Sequence, residues 1–191
     1  MKITFVDRIQ SVIEAFHNYF KEILDTDFVI GNFQDVKTEA FITAGNSYAI
    51  MDGGVDLAVR NYFTGIQDKV QSKIGGLYLP IGSAVSVPTG NADIPFLIYA
   101  PTMEGPMDVK FTLNAYHAFL GSLIEASRQS INDISVCGFC CLTGGMLVDV
   151  MARQMLVAFY HWKLGSKSDW TSVKIVRQEK NALFEYTRNK F

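Results

Sequence analysis

Residues 44–56 read Ala-Gly-Asn-Ser-Tyr-Ala-Ile-Met-Asp-Gly-Gly-Val-Asp, a polar loop with glycines that joins an apolar run to a helical stretch. The apolar run, Ala40 to Ala44, has the length and composition of a buried strand. In an open α/β sheet, ligands bind where such loops leave the carboxyl ends of strands. Gly53 and Gly54 have no Cβ, and free N–H groups at the helix start favour a phosphate or pyrophosphate. The stretch therefore predicts an α/β sheet that binds a phosphorylated small molecule.

A second glycine-containing loop reads Leu142-Thr143-Gly144-Gly145-Met146. It follows an apolar run, Ser135 to Cys140, that we interpret as a buried strand, and it precedes another helical pattern. Two such loops at one sheet edge would hold a diphosphate between them. The alternative interpretation is two unrelated tight turns, because glycines are common in turns.

The rest of the chain alternates between helical and strand-like patterns. Helices are predicted at 8–24 with Asp7 as N-cap, from near Gly54, through 113–124, at about 148–163 and at 181–189. After a short opening strand, further strands are predicted at 28–30, 40–44, 84–87, 96–100, 134–136 and 173–176. This alternation predicts a three-layer α/β/α sandwich with a mixed, mostly parallel central sheet, and one domain over residues 1–191.

Composition excludes several classes of partner. The formal net charge is −2 and charged residues make up 19% of the chain, so no cationic excess exists to bind a nucleic-acid backbone. No apolar run reaches the roughly 18 residues of a membrane span, and an acid already stands at Asp7. We therefore expect a cytoplasmic protein without a membrane partner.

The cysteines and histidines do not form a metal-binding or triad pattern. The three cysteines, Cys137, Cys140 and Cys141, lie within five positions of one another, and all three histidines are distant from them along the chain. A zinc site needs a fourth ligand, so we expect free thiols and no metal. His117 and His161 lie in helical patterns without a Ser or Cys motif, which disfavours a nucleophilic triad.

Four segments together resemble the macro-domain family, and the resemblance runs from Phe28 to the C-terminus. Residues 31–33, Gly-Asn-Phe, resemble the Gly-Asp-Ile segment at the adenine, and residues 43–46, Thr-Ala-Gly-Asn, resemble Asn-Ala-Ala-Asn at the distal ribose. Residues 52–56 resemble the Gly-Gly-Gly-Val-Asp loop at the pyrophosphate. Residues 143–145 resemble the Ser-Thr-Gly or Ser-Ala-Gly loop opposite.

The resemblance implies binding of ADP-ribose or a related NAD-derived nucleotide, free or attached to a protein, without a cofactor. The implied ligand-binding residues are Asn32, Phe33, Asn46, Gly53, Gly54, Val55, Asp56, Thr143, Gly144, Gly145 and Met146. Residues 51–54, 100–103 and 152–155 are similar to a stand-alone branch that occurs in bacteria and their phages. Phe33 either stacks near the adenine or belongs to the core.

The resemblance also suggests hydrolysis of an ADP-ribosyl linkage or of ADP-ribose 1″-phosphate. Hydrolases of the family place an Asn and an Asp ten positions apart, as Asn46 and Asp56 are here. In that hypothesis Asn46 orients the ribose and Asp56 positions or activates the attacking water. Asp56 also fits the ordinary preference for an acid in the first turn of a helix.

Three positions depart from the hydrolase pattern: Asn32 replaces an Asp, Arg60 replaces a His and Leu147 replaces a Tyr or Phe. Arg60 is interpreted either as a contact for a terminal phosphate or as a solvated surface residue. These departures support two alternatives, a macro-fold scaffold that has lost ligand binding and a protein that captures another NAD-derived nucleotide.

Overall fold

The computed structural model describes residues 1–165 and 169–190, which form a six-stranded sheet flanked by helices. The strands are β1 (Lys2–Asp7), β2 (Thr26–Ile30), β3 (Ala40–Asn46), β4 (Val85–Pro88), β5 (Phe96–Met103) and β6 (Asp133–Val136). Their order is β2-β1-β6-β3-β5-β4, and every neighbouring pair is parallel except the antiparallel β4–β5 pair. The mixed, mostly parallel sheet predicted from the sequence is confirmed.

Six α-helices are described around this sheet: α1 (Gln10–Phe20), α2 (Gly54–Tyr62), α3 (Ile66–Lys73), α4 (Asn114–Arg128), α5 (Val148–Leu164) and α6 (Trp170–Asn189). Helix α5 contacts both α1 and α4 in one layer, and α2 and α3 form the other. Helix α6 packs on α5. The three-layer α/β/α arrangement is therefore as expected.

The core beneath the sheet is rich in aromatic rings. Phe5 of β1 stacks on Phe16 of α1 with ring centroids 4.3 Å apart, and Phe20 lies 4.5 Å from Phe5. All three side chains are fully buried. Aromatic rings bury large apolar areas, so this cluster fixes α1 against β1 and thereby the turn between them.

One strand prediction was wrong: residues 173–176 belong to helix α6. Their β-branched residues suggested a strand, but Asp169 accepts a hydrogen bond from the Ser172 N–H at 2.8 Å and caps the helix. The helix then docks through Leu183 and Thr187, which are buried four residues apart. The cap and this spacing outweigh local strand propensity.

Two predicted boundaries were also wrong. The strand predicted over 135–140 ends at Val136, the last residue that pairs with β1 and β3, and Cys140 has a positive φ of 62°, outside the range of a strand. The first helix covers 10–20 rather than 8–24, and its N-cap is Ile9 rather than Asp7. Asp7 ends β1 and holds the turn before the helix, with its Oδ1 atom accepting the Ile9 N–H at 3.0 Å.

The end of β3 is held by a tyrosine from β5. The Tyr99 ring lies so close to Gly45 that a Cβ there would be 2.1 Å from Tyr99 Cζ. The Tyr99 hydroxyl accepts the Asn46 N–H at 2.9 Å and lies 2.9 Å from the Asn46 carbonyl oxygen, to which it donates. The tyrosine thus replaces ladder hydrogen bonds where the β3–β5 register shifts.

We predict that Gly45→Ala destabilises the protein by about 1–3 kcal/mol, because the added methyl displaces the buried Tyr99 ring. Gly105→Ala is the matched control, since a Cβ there meets nothing within 4 Å, and its expected effect is under about 0.5 kcal/mol. Urea unfolding of both variants and the wild type measures the difference. Equal stability of the two variants would contradict the close Tyr99–Gly45 contact.

Candidate functional site

A cavity of about 790 Å³ lies at the carboxyl ends of the parallel strands. Its walls come from the segments that follow β1, β2, β3, β5 and β6, together with the start of α2. Strands lie about 4.8 Å apart, so the distance from β2 to β5 across this edge is about 19 Å. The cavity therefore suits an extended ligand, at the place where open α/β sheets bind ligands.

The start of α2 presents backbone N–H groups to this cavity. Gly53 is the N-cap and no side chain caps the helix. Gly54, Val55 and Asp56 all line the cavity, and among the residues described their N–H groups have no acceptor. Gly54 adopts a φ of +55°, which favours glycine. Free N–H groups at a helix start are the kind of group that binds anions in proteins, so anion binding at this loop stays a prediction.

The loop after β6 forms the facing wall through Leu142, Thr143 and Gly144. A Cβ on Gly144 would lie 2.4 Å from the Cys140 carbonyl oxygen, so only glycine fits there. Within the described part of the chain, the N–H groups of Thr143 and Gly144 donate to no acceptor. Two loops with free N–H groups thus flank one cavity.

Two of the predicted binding residues in this loop are not in the cavity wall. Gly145 has a φ of +66° and does not line the cavity, and Met146 is buried in the core at 2% exposure. Met146 donates its N–H to the Cys140 carbonyl at 3.0 Å, which closes the loop.

Asn46 lines the cavity, and its side chain organises the loop that follows β3. Its Nδ2 donates to the Ile50 carbonyl at 2.7 Å, while its Oδ1 accepts the N–H groups of Tyr48 at 3.1 Å and Ile50 at 3.2 Å. Asn side chains commonly hold a loop by such local bonds. Asn46 therefore fixes the loop shape at this end of the cavity.

Asp56 also lines the cavity but is only 4% exposed. Its Oδ1 accepts the Thr43 hydroxyl at 2.8 Å, and its Oδ2 lies 3.5 Å from the Tyr99 hydroxyl. Burial raises the pKa of Asp56 to about 7, although the hydrogen bond from Thr43 and the nearby Tyr99 hydroxyl lower it, and the charge of Asp52 adds a smaller upward effect. A buried acid that titrates near neutrality is suited to proton transfer.

Asn32 and Phe33 lie in the wall beyond β2. The Asn32 Nδ2 donates to Asp35 at 3.1 Å, so the amide is already oriented. Phe33 is 6% exposed and stacks on Phe41 of β3 with centroids 4.6 Å apart. Most of the Phe33 ring therefore belongs to the core, and only part of it faces the cavity.

The structure places Arg60 and Leu147 outside the cavity wall. Arg60 lies in the last turn of α2, away from the free N–H groups at the helix start. Leu147 is the N-cap of α5 and is 44% exposed. Their departure from the hydrolase pattern thus falls at positions that do not line the cavity here.

The sequence motifs missed one wall entirely, the turn between β1 and α1. Val6, Asp7, Arg8, Ile9 and Val12 all line the cavity. Asp7 ties this turn to the loop after β6, because its Oδ2 accepts the N–H of the glycine at position 138 at 3.0 Å. The available signal was an acid at the end of a strand and before a helix, the position that faces a ligand in such sheets.

All three cysteines also reach this cavity. Cys137 and Cys140 are 5% exposed, and burial raises the pKa of both thiols, so they stay protonated near neutral pH. In residues 1–165 and 169–190, no group of three or more His, Cys, Asp and Glu side chains is arranged to hold a metal ion. In the same residues, no helix has the length and apolar character needed to cross a membrane.

Comparison with known proteins links the chain to one family and one fold. No protein-family model matches the chain. It belongs to the same family as an Aeropyrum pernix protein described only as uncharacterised, with 30% identity over 130 residues, or 68% of this chain and 67% of that one.

Two solved structures share the fold at low sequence identity. The macrodomain of Mycobacterium tuberculosis DarG superimposes with a TM-score of 0.60 at 19% identity, covering 68% of this chain and 86% of that one. A variant of the Oceanobacillus iheyensis macrodomain, solved with ADPR, superimposes with a TM-score of 0.55 at 14% identity, covering 81% and 91%.

We predict that Asp56→Asn changes how stability depends on pH. The pKa of Asp56 is about 7 in the folded protein, whereas its ordinary value, taken for the unfolded chain, is 3.8. At pH values between these two, the folded state therefore binds more protons than the unfolded chain. The free energy of unfolding of the wild type should therefore fall as pH rises from 5 to 8, by a few kcal/mol at most, relative to the variant. Urea unfolding at several pH values tests this, and a pH-independent difference would refute the raised pKa.

Proposed function

Because this chain has the macrodomain fold, we propose that its cavity binds ADP-ribose or a closely related NAD-derived nucleotide. The observation that carries the proposal is that two loops lining the same cavity have N–H groups without an acceptor among the described residues. Such groups bind phosphate oxygens without a side-chain cation. The Oceanobacillus iheyensis variant solved with ADPR supports the same ligand class.

The diphosphate is proposed to lie between the start of α2 and the Leu142–Gly144 loop. The partial positive charge of a helix N-terminus favours an anion there. Glycines at 53, 54 and 144 keep side chains away from the phosphate oxygens, so the backbone can approach them closely. This arrangement accounts for a diphosphate site in a chain with net charge −2.

The two ends of the nucleotide are proposed to occupy opposite ends of the cavity. The segment after β2, with Asn32 and an edge of Phe33, would hold the adenine, and the segment after β3, with Asn46, would hold the distal ribose. The two strands are three places apart in the sheet, or about 14 Å. Ile50 lines the cavity beyond Asn46 and is 49% exposed, so an ADP-ribosylated protein side chain could be accommodated at that end.

Isothermal titration with ADP-ribose tests binding, with Gly53→Glu as the blocking variant. Gly53 lines the cavity and a Cβ at this position would meet nothing within 4 Å, whereas Gly54 has a φ of +55° that would strain any side chain. Glu at position 53 places a carboxylate beside the phosphates, so affinity should fall at least about tenfold. Gln178→Glu is exposed on α6 and makes the same charge change away from the cavity.

Micromolar binding by the wild type and Gln178→Glu, with loss in Gly53→Glu, is the expected result. No binding by folded wild-type protein would overturn the proposal and favour the scaffold alternative. Tighter binding of a different NAD-derived nucleotide than of ADP-ribose, measured by the same method, would instead favour the altered-ligand alternative.

We propose hydrolysis of an ADP-ribosyl linkage as a second function, because Asp56 combines access to the cavity with a pKa of about 7. Its Oδ1 is engaged by Thr43, which leaves Oδ2, with its long 3.5 Å contact to Tyr99, to accept a proton from water. The water oxygen would attack the anomeric carbon, and the bond to the leaving group would break. A carboxylate with this pKa is ionised in about half of the molecules near neutral pH.

Turnover of an ADP-ribosylated peptide or of ADP-ribose 1″-phosphate tests this second function. Asp56→Asn should lower the rate about 100-fold or more while ADP-ribose affinity stays within about fivefold. The wild-type rate should rise with pH and level off above about 7, because the base must be ionised. Asp68→Asn, exposed on α3, is the matched control. Unchanged turnover in Asp56→Asn would exclude Asp56 as the base.

A further inference from the structure

The turn between β1 and α1 brings a cation to the cavity that no sequence motif assigns. Among the residues that the structure describes, Arg8 is the one Lys or Arg in the cavity wall. Its side chain is exposed, and no hydrogen bond or ion pair within residues 1–165 and 169–190 engages its guanidinium. The guanidinium is therefore available to a ligand.

Within the described residues, the neighbouring acid forms no ion pair with Arg8. Asp7 has both carboxylate oxygens engaged by backbone N–H groups, Oδ1 by Ile9 and Oδ2 by Gly138, each at 3.0 Å. These bonds hold the turn rigidly, and Val12 packs so closely that a Cβ on Gly138 would lie 2.8 Å from Val12 Cγ1. The backbone of Arg8 is thus fixed beside the cavity, and only its side chain is free to move.

The position of this turn relates Arg8 to one end of the proposed nucleotide. The Asp7 carbonyl oxygen accepts the Gly31 N–H at 3.0 Å. Arg8 is therefore the next residue after Asp7, which is hydrogen-bonded to Gly31. The Gly31–Asn32 segment is proposed to hold the adenosine. Since β1 lies between β2 and β6 in the sheet, Arg8 lies between the adenine segment and the Leu142–Gly144 loop.

Arg8 differs in charge from the other ionisable side chains of the cavity wall. The other charged side chains in the wall are three acids, Asp7, Asp52 and Asp56. A ligand with two or more negative phosphate charges is repelled by the exposed Asp52 and gains from one cation nearby. The planar guanidinium also presents paired N–H donors that match two phosphate oxygens at once.

We propose that Arg8 is a ligand-binding residue that contacts a phosphate of the nucleotide at its adenosine end. The inference rests on the proposed function, because it uses the proposed orientation of the nucleotide. Two phosphates have the required chemistry. One is the adenosine-proximal phosphate of the diphosphate, and the other is a 2′-phosphate on the adenosine ribose, which an Arg near that ribose accommodates in dinucleotide sites.

Isothermal titration with ADP-ribose and with ADP-ribose 2′-phosphate distinguishes these sources. The wild type is compared with Arg8→Gln and with Arg177→Gln, a control that removes an exposed Arg on α6 away from the cavity. A contact to the diphosphate predicts that Arg8→Gln weakens both ligands about tenfold or more. A contact to the 2′-phosphate predicts a loss of that size for ADP-ribose 2′-phosphate alone.

Either loss, with Arg177→Gln behaving like the wild type, supports the assignment of Arg8. Wild-type affinity of Arg8→Gln for both ligands overturns it while leaving the proposed function intact. Failure of the folded wild type to bind either ligand overturns the proposed function itself, so the two failures are distinguishable. In the supporting cases, raising the salt concentration should weaken the wild type more than Arg8→Gln.

Discussion

The contact between the Tyr99 ring and the Cα of Gly45 is the constraint on which the site depends. It allows the Tyr99 hydroxyl to reach the backbone of Asn46, with 2.9 Å to both its N and its O atoms, and to approach Asp56. Burial raises the pKa of Tyr99, so the hydroxyl remains a neutral donor and acceptor. One side chain of β5 thereby sets where β3 ends and where the acid of α2 lies.

The hydrogen bonds of Asn46 continue this constraint into the loop. With its backbone held by Tyr99, its amide binds the backbone of Tyr48 and Ile50 on both sides of the turn. The loop is further held where Met51 donates its N–H to Gln67 of α3 at 2.8 Å. The chain therefore enters α2 along a fixed path, and Gly54 and Val55, whose N–H groups have no acceptor among the described residues, line the cavity. Such preorganisation lowers the entropic cost of ligand binding.

Backbone groups rather than side-chain charges dominate this cavity. Its charged side chains within the described residues are three acids and Arg8, whereas the N–H groups at the start of α2 and those of Thr143 and Gly144 have no acceptor among those residues. Burying the acid Asp56 next to them costs stability when it ionises, because its partners compensate only in part. Asp56 is therefore a proton-accepting group in the cavity wall.

The sequence by itself determined the alternation of elements and the two glycine-containing loops. Local patterns sufficed because glycine at 53, 54 and 144 and the apolar runs of β1, β3 and β5 act over a few neighbouring residues. The sequence pattern wrongly predicted a strand at 173–176. There the helix cap at Asp169 and the docking of α6 through Leu183 outweigh local strand propensity.

Only the tertiary structure decided which residues meet at the cavity. The wall formed by Asp7 and Arg8 carries no motif, because it arises from strand order, which places β1 beside β6 although the two strands are distant along the chain. The pKa of Asp56 likewise depends on burial by distant residues. Gly145 and Met146 were predicted binding residues, yet the structure places both outside the cavity wall. Contacts between distant segments, unlike the pattern within each segment, are set by how the sheet brings its strands together.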